Sequence, residues 1–292
     1  MPLVTAPPTA NDPRRAAMAL GDGCLSCIEW QHAGAPTVVF AHANGFNALT
    51  YRILFAPLGT SLHVVACDLR GHGFSTLATG ADLAKNWTVF RDDMLGAIAQ
   101  LSSEPVLLAG HSLGATSSLM AAAQAPKRVR SVLLIEPVLI PPLRGGGEQN
   151  ASDLATRAKR RRNMFPSFEA AFSAYRGRGI FASWPDEVLA DYLRGGLIET
   201  DGSLRLACAP QWEAAIFRGA PHDTAPLASA VTCPMTIIVG TRNSAASEQQ
   251  LSVIRKLRPD ARILVVEGAS HFLPMERPDI VREELLRLAE KA

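Results

Sequence analysis

Gly110-His111-Ser112-Leu113-Gly114 fits the pattern G-x-S-x-G. Pro105-Val106-Leu107-Leu108-Ala109 stands before it, a short apolar run of buried-strand type. Ala115 to Ala125 follows, rich in Ala and Ser with Leu119 and Met120, and reads as a helix. A serine on a tight turn between strand and helix is held in a strained backbone geometry, with its hydroxyl pushed out of the fold. The flanking glycines belong there because the turn leaves no room for side chains. The same turn aims the helix N-terminus at the reaction centre, so free backbone N–H groups face a developing negative charge. Five residues alone are a weak signal; the strand before and the helix after make it a strong one.

The pattern extends in both directions. Gly23 to Trp30 reads as an early edge strand. Thr37–Ala41, His63–Cys67, Ser131–Ile135, Pro234–Val239 and Arg262–Val266 read as buried strands. Lys85 to Leu101 carries Trp87, Phe90, Met94, Ile98 and Leu101 at helical spacing, and Asp279 to Glu290 forms a closing helix after Pro278. Apolar strands alternating with helices predict a doubly wound, mostly parallel α/β sheet covered on both faces. Reactive groups in such sheets gather at the C-terminal strand ends. His42, Asp68, Ser112 and Glu136 each follow a strand there, and His271 lies five residues past the last one. The expected division is a flexible tail over 1–19, a core over 20–140 and 231–292, and a helical lid over 141–230. Pro137, Pro141, Pro142 and Gly145-Gly146-Gly147 mark the lid's entry. Its expected helices are Ser152–Met164, Ser167–Ala174 and Pro185–Arg194.

Composition excludes several classes. The chain has 292 residues, 48% of them hydrophobic, enough for one large domain with an insertion. A net charge of +2 argues against nucleic acid as a partner. There is no apolar run of membrane-spanning length and no secretory signal at the N-terminus. Five cysteines, an odd number, fit free thiols in a reducing, cytoplasmic setting. Cys24-Leu-Ser-Cys27 has C-x-x-C spacing but lies in a strand-like run, where residues three apart face opposite sides. No metal-ligand cluster and no glycine-rich phosphate loop is visible, so the expected chemistry needs no metal or cofactor.

Four stretches in order carry a resemblance. These are His42-Ala-Asn-Gly45, Asp68-Leu-Arg-Gly-His-Gly-Phe-Ser75, the G-x-S-x-G turn, and Gly268-Ala-Ser-His271. Over about residues 20–290 the chain resembles the α/β-hydrolase fold superfamily. The resemblance implies Ser112 as nucleophile and His271 as the general base that takes its proton and returns it to the leaving group. His32, His63 and His72 are weaker candidates. Much of the family carries its acid in a Gly-x-x-Asp context after the strand before the last. Here that place reads Gly240-Thr241-Arg242-Asn243-Ser244, with no Asp or Glu from Met235 to Ser247. An imidazolium still needs an orienter, preferably an anion. Glu136, after the strand that follows the nucleophile's helix, is the expected acid, as in some branches of the family. Asn243 as a neutral orienter, or Glu248, is the alternative. Leu113 and Asn44 are expected to supply the oxyanion-hole N–H groups, with Ala43 as an alternative to Asn44.

His42, His111, Phe165, Trp184, Trp212 and His222 are candidate pocket residues. The basic run Arg157-Ala-Lys159-Arg160-Arg161-Arg162 reads as a solvated helix face, or as a surface that attracts an anionic substrate. The expected activity is a serine hydrolase that cleaves a carboxylic ester or a related acyl bond of a small molecule through an acyl-enzyme. Lactone, thioester, amide and C–C bond hydrolysis and acyl transfer remain open on the same elbow. A hydrolase-fold receptor with little turnover is the alternative from another class.

Overall fold

The computed structural model describes residues 13–139, 147–221 and 224–290. The strands in chain order are β1 (Arg14–Leu20), β2 (Gly23–Trp30), β3 (Thr37–Ala41), β4 (His63–Cys67), β5 (Val106–His111), β6 (Val129–Ile135), β7 (Met164–Phe165), β8 (Leu197–Thr200), β9 (Ser203–Leu206), β10 (Met235–Arg242) and β11 (Arg262–Ser270). Eight of them form one sheet in the order β1-β2-β4-β3-β5-β6-β10-β11. The pairs β1–β2 and β2–β4 are antiparallel, and every later pair is parallel. This is the α/β-hydrolase fold, with a mostly parallel central sheet.

The central strands are apolar on both faces because each face is covered. Val39, Leu108, Leu134 and Ile237 point into one core with the helices Thr88–Leu101 and Leu113–Gln124. Phe40, Leu107, Ile135 and Ile238 point into the other, with Leu54, Phe55, Val281 and Leu285 from the helices Arg52–Phe55 and Pro278–Glu290. Successive strand residues go to opposite sides, so two continuous cores arise from one run of sequence. Each fully buried Val, Leu, Ile or Phe contributes about 1.5–3 kcal/mol to holding the layers together.

Two expectations are corrected. Residues 14–19 of the expected tail belong to β1, which pairs in register with β2 from Arg14↔Glu29 to Leu20↔Gly23. Its inward residues are Ala16, Met18 and Leu20, and Arg14 pairs with Glu29 at the strand's start. Alanines on both faces hide the alternation that marks a strand. The insertion between β6 and β10 is not purely helical. Its helices Gly147–Lys159, Phe168–Tyr175, Asp186–Gly196 and Pro210–Arg218 accompany a three-stranded sheet, β7-β9-β8. Met164, expected to end a helix, lies in β7 opposite Arg205. Among the described residues no helix is long and apolar enough to cross a membrane.

Candidate active site

Ser112 sits between β5 and the helix Leu113–Gln124 with φ 55° and ψ −114°. A left-handed φ at a non-glycine residue costs roughly 1–3 kcal/mol and persists only when the surroundings enforce it. They do so here by close packing. A Cβ on Gly110 would lie 2.3 Å from the Gly114 carbonyl, and one on Gly114 would lie 2.1 Å from the Ala41 oxygen. The turn is pinned by Ser112 N–H to Ile135 O at 2.9 Å and Gly114 N–H to His42 O at 3.2 Å. Thr116, one turn into the helix, bonds both the N–H and the carbonyl of Val138 and so ties the chain leaving β6 to the same helix.

Glu136 directly follows β6 and is fully buried. Its φ is 49°, a second strained residue at a strand end. Oε1 accepts from Gly240 N–H at 2.6 Å. Oε2 accepts from Ala245 N–H at 2.8 Å, Ser244 Oγ at 2.9 Å and His271 Nδ1 at 3.2 Å. Four donors converge on this one buried carboxylate, so both of its oxygens act as acceptors. Because the carboxylate only accepts, Nδ1 of His271 carries the hydrogen, which leaves Nε2 as the basic nitrogen.

The structure therefore brings Glu136 and His271 together, and Asn243 is not part of that pairing. Asn243 is exposed, in a left-handed turn with φ 50°. The loop after β10 folds its Gly240, Ser244 and Ala245 donors around Glu136, which turns Asn243 outward. Glu248 opens the helix Glu248–Leu257 and pairs with Arg255 at the surface.

The loop after β3 lies against the elbow. Ala43 N–H donates to Tyr51 Oη at 3.2 Å, and Gly45 N–H donates to His72 Nε2 at 3.0 Å. Phe46 N–H donates to Ala43 O. The Asn44 amide has no acceptor among the described residues, and neither does that of Leu113 at the helix start. Ala43, the alternative donor, is already committed. Asn44 Nδ2 donates to Glu213 O at 3.0 Å, which ties this loop to the insertion.

The pocket expectations divide. His42 is completely buried, its Nδ1 bonds Ala43 O, and its Nε2 accepts from Leu69 N–H, so it shapes the loop and lines no pocket. Burial lowers its pKa to about 4 and that of His72 to about 3, so both are neutral. His111 is buried as well; Tyr51 Oη bonds its Nδ1 and its Nε2 donates to the His271 carbonyl, both at 2.7 Å. Trp212 gives its indole N–H to Arg70 O and packs on Phe90, inside the core. Phe165 is buried between Tyr175 and the Arg162 guanidinium. Trp184 does approach the site, 5.3 Å from Phe46 and 6.0 Å from Phe272, the neighbour of His271. His222 lies outside the described residues. Tyr51, Phe46 and Tyr192 join the surroundings without having been singled out in the sequence, and Arg161 of the basic run turns inward to Glu213 and Tyr192. No group of three or more His, Cys, Asp or Glu among the described residues is placed to hold a metal ion.

The site thus gathers a serine with a left-handed φ, a histidine with a buried carboxylate behind it, and the Leu113 and Asn44 amides. The chain belongs to the alpha/beta hydrolase family, whose model matches residues 38–284. It is 30% identical over 251 residues, 86% of each chain, to the 2-(acetamidomethylene)succinate hydrolase of Mesorhizobium japonicum. It is 27% identical over 237 residues, 80% of each chain, to the N-formylmaleamate deformylase of Pseudomonas putida. A crystal structure of E-2-(acetamidomethylene)succinate hydrolase superposes with a TM-score of 0.83 at 28% identity, covering 95% of this chain and 99% of that one.

Proposed function

We propose that the protein is a serine hydrolase that moves an acyl group from a small substrate to Ser112 and then to water. Ser112 Oγ attacks the carbonyl carbon while His271 Nε2 takes its proton. The carbonyl oxygen becomes an oxyanion held by the Leu113 and Asn44 amides. The imidazolium, stabilised by Glu136, then protonates the leaving group, and water repeats the sequence on the acyl-enzyme. The observation that carries this reading is the His271 Nδ1 contact with fully buried Glu136, which fixes which ring nitrogen is free to act.

The bond cleaved joins an acyl carbonyl carbon to its leaving group. Both relatives named above are named for compounds with an acylated nitrogen, which favours an amide. An ester, a thioester or an activated C–C bond uses the same attack on a carbonyl. The first test is pre-steady-state hydrolysis of p-nitrophenyl acetate together with labelling by a fluorophosphonate. A burst stoichiometric with enzyme and a label lost in Ser112→Ala are expected; no burst and no label would sink the reading. A panel of matched N-acyl, ester and β-diketone substrates, ranked by kcat/KM, then identifies the bond.

A further inference from the structure

The ladder between β10 and β11 loses register just before His271. Gly240 pairs with Val266 but Arg242 pairs with Ser270, so two steps on β10 face four on β11. Extra residues in one strand interrupt its hydrogen bonds and bend it. Gly268, inside this irregular stretch, has φ 73°. His271 is the first residue past β11. The sheet alone therefore does not fix where the base stands.

A carboxylate outside the triad takes hold there. Glu276 Oε2 accepts from Ser270 N–H at 2.7 Å, and Oε1 accepts from Ser270 Oγ at 2.8 Å. Ser270 Oγ in turn accepts from Phe272 N–H at 3.1 Å. The residues on both sides of His271 are thus tied to one side chain, directly and through one hydroxyl. Ser270 is buried, and the Glu276 side chain is only 16% exposed.

Two simpler roles do not account for these contacts. The helix Leu273–Glu276 is a single turn, and both carboxylate oxygens reach back six residues past it to Ser270. Arg242 Nη2 stands 3.7 Å from Glu276 Oε1, too far for a hydrogen bond, on a side chain that is 60% exposed. Such a surface pair contributes little. Arg242 instead gives its Nε–H to Gly268 O at 2.6 Å, a further brace on the same irregular stretch.

We propose that Glu276 is a positioning residue for catalysis. It clamps the Ser270–Phe272 turn so that the His271 ring meets Glu136 with one nitrogen and Ser112 with the other. The inference rests on the reading of Ser112 as nucleophile and His271 as its base. The rate of fluorophosphonate labelling of Ser112 reads that base without any choice of substrate. Glu276→Gln sets a carboxamide NH₂ against one of the two Ser270 donors. It is expected to slow labelling by roughly 10- to 100-fold, the cost of a base displaced by up to about 1 Å. Glu267→Gln, at an exposed carboxylate on the same strand, is expected to stay within about twofold of wild type.

A double-mutant cycle separates positioning from general support of the fold. Groups that act as a unit are non-additive. In a Glu136→Gln background the further loss from Glu276→Gln is expected to shrink to within about threefold. Equal fold-losses in the two backgrounds, or wild-type labelling by Glu276→Gln, overturns the clamp and retains acyl transfer. Should Glu276→Gln not fold, Ser270→Ala removes the hydroxyl link alone. Labelling slower by about 3- to 10-fold is then expected, the worth of one hydrogen bond, and an unchanged rate overturns the clamp. A wild type that takes no label rejects the acyl-transfer reading, and the proton resonance of His271 Nδ1–H then decides the clamp. A resonance shifted or broadened in Glu276→Gln, or in Ser270→Ala, supports the clamp; an unchanged one overturns it.

Discussion

Glu136 Oε2 accepts a hydrogen bond from His271 Nδ1 at 3.2 Å, although β10 separates the two strands that end at these residues. The carboxylate crosses that gap because the loop after β10 does not fill it. Gly240 N–H, Ser244 Oγ and Ala245 N–H instead close around Glu136 from the side. The loop position that holds an acid in much of the fold family has become a cradle for an acid from the neighbouring strand.

Replacing Glu136 with glutamine tests this arrangement. A carboxamide facing His271 with its oxygen turns its NH₂ toward the Gly240 N–H, donor against donor. The imidazolium also loses its counter-charge. A fall in kcat of roughly 10²- to 10⁴-fold is expected, with a stability loss of about 1–3 kcal/mol from the unpaired buried donors. Asn243→Ala, at an exposed turn, is expected to stay within about twofold of wild type. Steady-state kinetics of both variants on one activated ester check the assignment. A large effect from Asn243→Ala with Glu136→Gln near wild type would reverse it.

Much of this was readable in the chain. The strands β3 and β4 carry contiguous apolar residues, and with β2 they match their expected limits. Ser112, Glu136 and His271 follow strands whose parallel order brings their ends to one edge. Other features left no local signal. β1 is alanine-rich, and its pairing with β2 is what makes it a strand. Position already sets His72 and His111 apart from His271, whereas the hydrogen bonds that make His42, His72 and His111 structural are visible only in the fold. The inward turn of Arg161 was hidden in a run of five similar cations, because tertiary contacts with Tyr192 and Glu213 select it.

Tyr51 joins the two halves of the site. Its hydroxyl accepts from Ala43 N–H, next to the Asn44 amide proposed for the oxyanion, and donates to His111 Nδ1, while His111 Nε2–H holds the His271 carbonyl. Tyr51→Phe leaves the Ala43 N–H and one nitrogen of His111 buried and unpaired. A destabilisation of about 1–3 kcal/mol is expected, with a kcat loss of about 10-fold if the Asn44 amide shifts by a fraction of an ångström. Urea unfolding and kcat, measured on the same preparation, check both parts. Wild-type values for both would show that the bridge positions nothing.

The elbow tolerates no side chain at Gly110. Its Cβ would meet backbone atoms of Gly114 and Ala115 at 2.3–2.5 Å, and backbone cannot swing away as a flexible side chain can. Gly110→Ala is expected to abolish activity and to lower stability by several kcal/mol, at or beyond the roughly 1–3 kcal/mol usual for overpacking. Gly21→Ala, with nothing within 4 Å of the new Cβ, is the matched control and is expected to fold normally. Soluble yield and thermal melting of the pair decide, and a Gly110→Ala protein that melts like wild type would contradict the packing.

Three buried histidines give the fold a pH dependence with a definite sign. Burial lowers the pKa of His42 to about 4 and of His72 to about 3, and pushes His111 well below its ordinary value. The unfolded chain titrates these rings near 6.5. Below that pH the unfolded state binds protons that the folded state does not, so acid favours unfolding. Stability from these groups is complete above pH 6.5. It is lost as the pH falls, down to about 4 for His42 and about 3 for His72. Within that window each ring removes about 1.4 kcal/mol per pH unit. Urea unfolding at pH 7.5 and 5.5, where most carboxylates keep their charge, is expected to show a loss of about 1.4 kcal/mol per histidine at the lower pH. A flat stability across that interval would mean that the rings titrate normally in the folded protein, and the neutral network around the oxyanion loop would have to be redrawn.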